Sequence, residues 1–180
     1  MKVVDEFFDS VKIIQLNNFE DERGFFLETY KRPSYEKMDI FDNFVQDNQS
    51  RSLNNILRGM HFTINKPQSQ LVTVLKGEIF DVVIDLRKDS KTFGEWKGVK
   101  LSDRSIQQIF MPHGFAHGFL VLSDWADLHY KVSKIYNPLD ERGILWSDPE
   151  IAIDWPSNNP IVSAKDQQNP TFFEFYGSVI

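Results

Sequence analysis

The stretch Leu57-Arg58-Gly59-Met60-His61-Phe62 puts a guanidinium, a glycine and an imidazole into a segment that otherwise reads as a strand. A strand alternates its side chains across the sheet. His61 is therefore expected on one face with Gly59 and Leu57, and Arg58 on the other with Met60 and Phe62. Alone, this pattern also describes a partly buried histidine bonded to a carbonyl and an arginine in a salt bridge. An imidazole becomes a general base only in company, where other titratable groups address the same space.

The other histidines are His113, His117 and His129. His117 ends Pro112-His113-Gly114-Phe115-Ala116-His117. A Pro-x-Gly-x-x-His string matches the second half-motif of metal-binding cupins, whose first half carries His-x-His. Here Phe62 and Thr63 follow His61, so the first half is broken. His61 and His117 alone fall short of the three protein ligands of a catalytic metal site, and a metal-free site is expected.

In the strand expected over Asp127 to Tyr136, residues Leu128, Tyr130, Val132, Lys134 and Tyr136 share one face. If that face lines a barrel near His61, a phenol and an imidazole approach one substrate from two sides. Core aromatics with bonded hydroxyls explain the spacing equally well. Gln46, Asn48 and Ser50 form a polar row on another strand face, suited to a sheet ladder or a polar pocket. Asp166 reads as a surface carboxylate by composition. Arg23, Arg51 and Arg58 could pair with phosphate, against the alternative of solvated ion pairs worth little.

The elements that must position these groups are short. Strands are expected at Val11 to Leu16, Phe25 to Tyr30, Phe44 to Ser50 and Ser105 to Met111. Two more are expected at His117 to Leu122 and Asp127 to Tyr136. Asp21 to Gly24 reads as a turn, Pro33 to Met38 as one helical turn with Ser34 as N-cap, and Arg51 to Asn55 as a loop. Leu71 to Leu75 and Glu78 to Arg87 flank Lys76-Gly77, a tight hairpin signal. In the second arm Phe80, Val82, Ile84 and Leu86 share one face, and Asp81, Asp85 and Arg87 the other. Many short strands with almost no helical periodicity predict an all-β sandwich or barrel. No GxGxxG follows a strand and no Walker lysine is present, which argues against dinucleotide and P-loop chemistry.

The 180 residues suit one domain spanning 1–180, and no repeat or linker divides them. The 16 Phe residues suit a β-rich core or a ring-lined pocket. A net charge of −6 argues against a nucleic-acid surface. The absence of Cys removes disulfides, thiolate nucleophiles and Cys-based metal sites. No stretch is apolar enough to span a membrane and no signal peptide is visible, so a cytoplasmic protein is expected.

The ordered blocks then carry a resemblance over nearly the whole chain. They are Asp21-Glu22-Arg23-Gly24-Phe25-Phe26-Leu27-Glu28, Gln46-Asp47-Asn48-Gln49-Ser50, Leu57 to Phe62, Gly77 to Arg87, Thr92-Phe93-Gly94 and Pro112 to Phe119. Trp146-Ser147-Asp148-Pro149 and Ile153-Asp154-Trp155-Pro156 close the series. The sequence resembles the dTDP-4-dehydrorhamnose 3,5-epimerases and relatives acting on other nucleotide-linked 4-keto sugars. The resemblance implies a cupin jelly-roll barrel with a few short helices, a homodimer with exchanged strands, and epimerisation without metal or redox cofactor. By the same resemblance His61 is the catalytic base, Asp166 its paired carboxylate and Tyr130 the acid on the opposite face. Arg23, Phe26 and Glu28 match residues that reach into the partner's site. Gln46, Asn48 and Arg58 match contacts to sugar and diphosphate, Tyr136 a ring near the nucleobase, and His117 a histidine beside the catalytic one.

The residue types fit that chemistry. A ketone at C4 acidifies the hydrogens at C3 and C5, because the carbanion delocalises as an enolate. Histidine is a suitable base near neutral pH, and a tyrosine can return the proton from the other face. The enolate oxygen needs a donor or a positive charge. In one place the chain departs from the rhamnose-pathway pattern: Gln70 precedes Leu71-Val72 where those enzymes carry a lysine. Gln70 can donate to the C4 oxygen but brings no charge, and Lys66 lies too far along the chain to substitute. The substrate expectation therefore spans dTDP- or GDP-linked 4-keto hexoses or heptoses, with inversion at C3, C5 or both. The alternatives are a non-catalytic sugar-nucleotide-binding cupin and, on the half-motif alone, a metal-dependent cupin.

Overall fold

Alternating apolar residues decide which face each strand turns inward, and nearly every central strand is buried on both faces. The computed structural model describes residues 1–177. The chain runs β1 (Lys2–Phe7), β2 (Val11–Gln15), β3 (Asn18–Asp21), β4 (Gly24–Leu27), α1 (Arg32–Glu36), β5 (Gln46–Leu53), β6 (Ile56–Thr63) and β7 (Gln70–Lys76). It continues with β8 (Glu78–Asp85), β9 (Trp96–Ser102), β10 (Gln107–Met111), β11 (Phe115–Val121), β12 (Trp125–Val132), β13 (Glu141–Gly143) and β14 (Ile161–Val162). Two short helices follow, α2 (Ala164–Gln167) and α3 (Phe172–Tyr176).

One sheet has the order β1-β2-β10-β7-β12-β5, the other β13-β6-β11-β8-β9, with β14 parallel to β6. Together they make the all-β, cupin-type barrel. Ile13, Val72, Val74, Ile79, Val83, Ile109 and Phe119 pack between the sheets. Leu57, Met60, Phe62, Val82 and Ile84 face the other way, under Ile151, Trp155 and Phe172 of the C-terminal segment. Burying each such side chain stabilises the fold by about 1.5–3 kcal/mol. Ile14, Leu71 and Phe110 on the outer face of the first sheet are covered by Tyr35 and Ile40.

Several expectations change here. β7 and β8 do not form a hairpin. β7 pairs with β10 and β12, whereas β8 pairs with β9 and β11. Gly77 instead carries the chain from one sheet to the other, at φ 86° and so close to β12 that a Cβ would clash with the Trp125 carbonyl oxygen. Both a hairpin turn and a sheet crossing need a glycine at positive φ, so Lys76-Gly77 signals either. Arg51 to Leu53 extends β5 rather than forming a loop, because Arg51 pairs in register with Asp127 and is bonded to its carboxylate at 2.7 Å. Helix α1 begins at Arg32 with Lys31 as N-cap, and Ser34 lies inside it. Pro33 in the first turn sets that start.

The largest change concerns β6. Leu57 and Met60 share the outer face, while Arg58 and His61 face the barrel interior. The expected alternation fails because the strand bulges at Gly59. Opposite it, His117 pairs with His61 and Phe119 with Arg58, so three steps on β6 answer two on β11. Gly59 sits at φ 118°, and a Cβ there would lie 2.6 Å from the Gly118 Cα. An extra residue flips the phase of everything beyond it.

Candidate active site

The interior face of β6 now brings Arg58 and His61 to one cavity of about 400 Å³. His61 Nε2 lies 2.7 Å from Asp166 Oδ1. Asp166 sits in α2, where Ser163 caps the helix by accepting from the Asp166 N–H at 3.0 Å. That cap aims the carboxylate back at β6, and Asp166 is only 3% exposed. Its second oxygen accepts the Gly59 N–H at 3.3 Å, so the bulge and the dyad are one structure. Burial pushes the Asp166 carboxyl up, but the hydrogen bond and charge of His61 and the Gly59 N–H outweigh it and hold the group below the ordinary carboxylate range.

Tyr130 faces the same cavity from β12, on the opposite sheet. Leu128, Tyr130 and Val132 share the interior face, as their spacing predicts, but β12 ends at Val132, so Lys134 and Tyr136 fall outside the expected strand. Burial raises the Tyr130 phenol above its usual value, against the lowering effect of Arg58, and so keeps it protonated. Gln46, Asn48 and Ser50 of β5 line the wall beside it. The Gln46 amide donates to Asn48 Oδ1 at 2.8 Å and accepts the Tyr136 N–H at 2.9 Å, which ties the segment after β12 to the cavity rim.

Arg58 is held by Ser52 Oγ at 2.9 Å. His117 stands directly opposite His61 in the β6–β11 register, and its Nε2 lies 2.8 Å from Asp81 Oδ2. Gln70 and Tyr136 line this cavity and also an adjoining, more apolar one of about 360 Å³ walled by Phe115, Phe175 and Tyr176. Lys66 does not line the cavity; its backbone N–H is anchored on Asp140 at 2.8 Å. Among the described residues no three His, Cys, Asp or Glu side chains gather to hold a metal. The arrangement sets an imidazole bonded to a buried carboxylate on one wall and a phenol on the other, a geometry suited to moving a proton from one face of a carbon acid to the other.

The family model described as dTDP-4-dehydrorhamnose 3,5-epimerase matches residues 7–174. The chain belongs to the dTDP-4-dehydrorhamnose 3,5-epimerase family. It is 46% identical over 173 residues to the dTDP-4-dehydrorhamnose 3,5-epimerase of Methanothermobacter thermautotrophicus, covering 91% of this chain and 94% of that one. The crystal structure of the Bacillus anthracis dTDP-4-dehydrorhamnose 3,5-epimerase with TDP and pyrophosphate bound superimposes with a TM-score of 0.92 at 42% identity, covering 94% of this chain and 98% of that one. A Legionella pneumophila dTDP-6-deoxy-D-glucose-3,5-epimerase in complex with dTDP-4-keto-L-rhamnose gives 0.91 at 45% identity, covering 94% and 92%. The protein is therefore an isomerase.

Of the residues expected in this epimerase site, His61, Tyr130, Gln46, Asn48, Arg58, Gln70, His117 and Tyr136 line the cavity, and Asp166 backs His61. Arg23, Phe26 and Glu28 do not line it. Arg23 is paired with Asp21 at 2.5 Å at the tip of the β3–β4 ribbon, Phe26 is 68% exposed, and Glu28 lies 3.5 Å from Lys31. Residue reasoning missed Asp81 and Glu141. Asp81 sits on the polar face of β8 that the alternation had marked. Glu141 lines both cavities, accepts an ion pair from Lys165 and lies 3.5 Å from the Tyr136 hydroxyl. No local pattern around Glu141 distinguishes it.

Proposed function

We propose that the protein inverts C3 and C5 of a dTDP-linked 4-keto-6-deoxyhexose, without a redox cofactor, in deoxysugar biosynthesis. His61 removes the proton from the carbon next to the C4 ketone, and the electron pair moves onto the C4 oxygen as an enolate. Asp166 holds the imidazole and stabilises the imidazolium that results. Tyr130 returns a proton to the opposite face of the carbon, and inversion follows. Carbon oxidation state does not change overall, so the chemistry calls for no electron carrier. Gln70 and His117 are the donors at hand for the enolate oxygen, Arg58 addresses the diphosphate, Gln46 and Asn48 the sugar nucleotide, and Tyr136 the nucleobase.

The observation that carries this reading is the opposition of His61, backed by Asp166 at 2.7 Å, and Tyr130 across one cavity. The relatives' names, which specify dTDP-4-dehydrorhamnose, support the substrate. The active form in this reading is a homodimer in which Arg23, Phe26 and Glu28 enter the partner's cavity. In support, β3 and β4 pair only with each other among the described residues, and the ribbon leaves Phe19, Phe25 and Phe26 at least 59% exposed. Rings so placed on a two-stranded ribbon call for a covering surface.

The test is incubation with a dTDP-linked 4-keto-6-deoxyhexose in D₂O, followed by NMR. Deuterium at both C3 and C5 is expected, lost in His61→Ala. Exchange at neither carbon with the wild-type protein would sink the proposal. Exchange at one carbon only would restrict it to a mono-epimerase.

A further inference from the structure

The cavity holds a second imidazole–carboxylate pair beside the first. His61 and His117 are cross-strand partners on β6 and β11, and each Nε2 is engaged by a buried carboxylate, Asp166 at 2.7 Å and Asp81 at 2.8 Å. The two carboxylates differ in their surroundings. Asp166 also accepts the Gly59 N–H. Asp85, four residues along β8 from Asp81, is surrounded by Arg87, Ser90 and Thr92. Asp81 is 0% exposed, and its Oδ1 has no partner among the described residues. An orphaned carboxylate oxygen in the interior is unfavourable, and a fold that keeps one calls for an explanation.

We propose that Asp81 is a positioning residue for the epimerisation, which holds His117 as a cationic donor to the C4 oxygen when the enolate forms. The inference rests on the epimerase reading above. A carboxylate only accepts hydrogen bonds, so Nε2 of His117 carries a hydrogen toward Asp81. Nδ1 is then the nitrogen left for substrate. In the neutral ring it has a lone pair and can only accept; in the imidazolium it donates. The unshared negative charge of Asp81 behind the ring favours the imidazolium, and charge developing on the substrate oxygen in front favours it further.

The other cavity groups do not supply this. Gln70 is a neutral amide. Arg58, held through Nε by Ser52 Oγ, is engaged by the diphosphate in this reading. His61 on β6 is the base and must begin uncharged, and Tyr130 on β12 must keep its proton for carbon. His117 shares its cavity with His61 and Arg58 from β6, Gln70 from β7, Tyr130 from β12, Tyr136 after it and Glu141 from β13, whose carboxylate is paired with Lys165, while Asp81 from β8 is bonded to the ring itself. Asp81 is the group that backs it with negative charge. No proton transfer through Asp81 is required: the carboxylate stays ionised and the imidazolium donates without giving up its hydrogen.

Asp81→Asn tests this. The amide oxygen of the variant side chain can still accept from Nε2, so the ring stays in place, but the charge behind it is gone. kcat is expected to fall on the order of 10²-fold, the usual effect of losing one oxyanion donor, with KM nearly unchanged. A purely structural role predicts a lower melting temperature with kcat intact, and that result overturns the proposal. ¹⁵N–¹H NMR of the imidazoles in wild-type enzyme with bound dTDP-linked 4-keto-6-deoxyhexose gives a second measurement, with the His117 signals assigned by their loss in His117→Gln. Both His117 nitrogens are expected to carry hydrogen, and a neutral ring overturns the proposal even if the Asp81→Asn variant fails to fold. Wild-type protein that exchanges no substrate deuterium overturns the epimerase reading and this inference together. Wild-type exchange with an undiminished Asp81→Asn variant overturns this inference alone.

Discussion

Arg58 and His61 are three residues apart on one strand, an odd spacing, and yet both face the same cavity. The bulge at Gly59 makes this possible, and the Gly59 N–H at 3.3 Å from Asp166 Oδ2 couples it to the His61–Asp166 pair. Gly59→Ala is expected to cost about 1–3 kcal/mol from the backbone conformation alone. The contact of the new Cβ with the Gly118 Cα at 2.6 Å adds to that. Urea denaturation measures the loss. Substrate exchange should fall more than stability, because relaxing the bulge turns His61 away from Asp166.

Tyr130→Phe separates the two halves of the proposed reaction. His61 can still remove a proton and return a deuteron to the same face. Deuterium should therefore enter C3 or C5 of a dTDP-linked 4-keto-6-deoxyhexose with little inversion. Inverted product formed at the wild-type rate would remove Tyr130 from the mechanism.

Arg58 is the guanidinium that lines the cavity among the described residues. A charge-assisted hydrogen bond is worth about 1.5–3 kcal/mol. Arg58→Ala should therefore raise KM about 10- to 100-fold. The rate at saturation should change far less, which steady-state kinetics on the dTDP-linked sugar would check.

Asp85 predicts an acid dependence of stability. Burial pushes its carboxyl up, but the hydrogen bonds from Arg87, Thr92 and Ser90 outweigh it and hold it at about 2, against an ordinary 3.8. A group lowered in the folded state stabilises fully above its unfolded pKa and loses that contribution as pH falls through the folded one. The window here runs from about pH 4 down to about pH 2 and is worth about 2 kcal/mol. Asp85→Asn should lower stability near neutral pH and flatten this part of the curve, as read by urea midpoints across that range.

Sequence alone determined the β class, since the strands alternate apolar and polar positions and carry no helical period. It also placed Leu128, Tyr130 and Val132 on one face and Gln46, Asn48 and Ser50 on another, because a regular strand has no freedom in that choice. The ordered blocks from Asp21 to Pro156, taken together, were enough to indicate the epimerase family. Three features needed the tertiary structure. Asp166 reads as a surface residue from its neighbours, but it is buried against a histidine 105 positions earlier in the chain. Lys76-Gly77 reads as a hairpin, but the chain changes sheets there. His61 and Arg58 alternate apart on paper, but a bulge measured against β11 brings them together. The common reason is range: periodicity and turn chemistry act over a few residues, whereas pairing partners, bulges and the burial of a carboxylate are decided by strands distant in the chain.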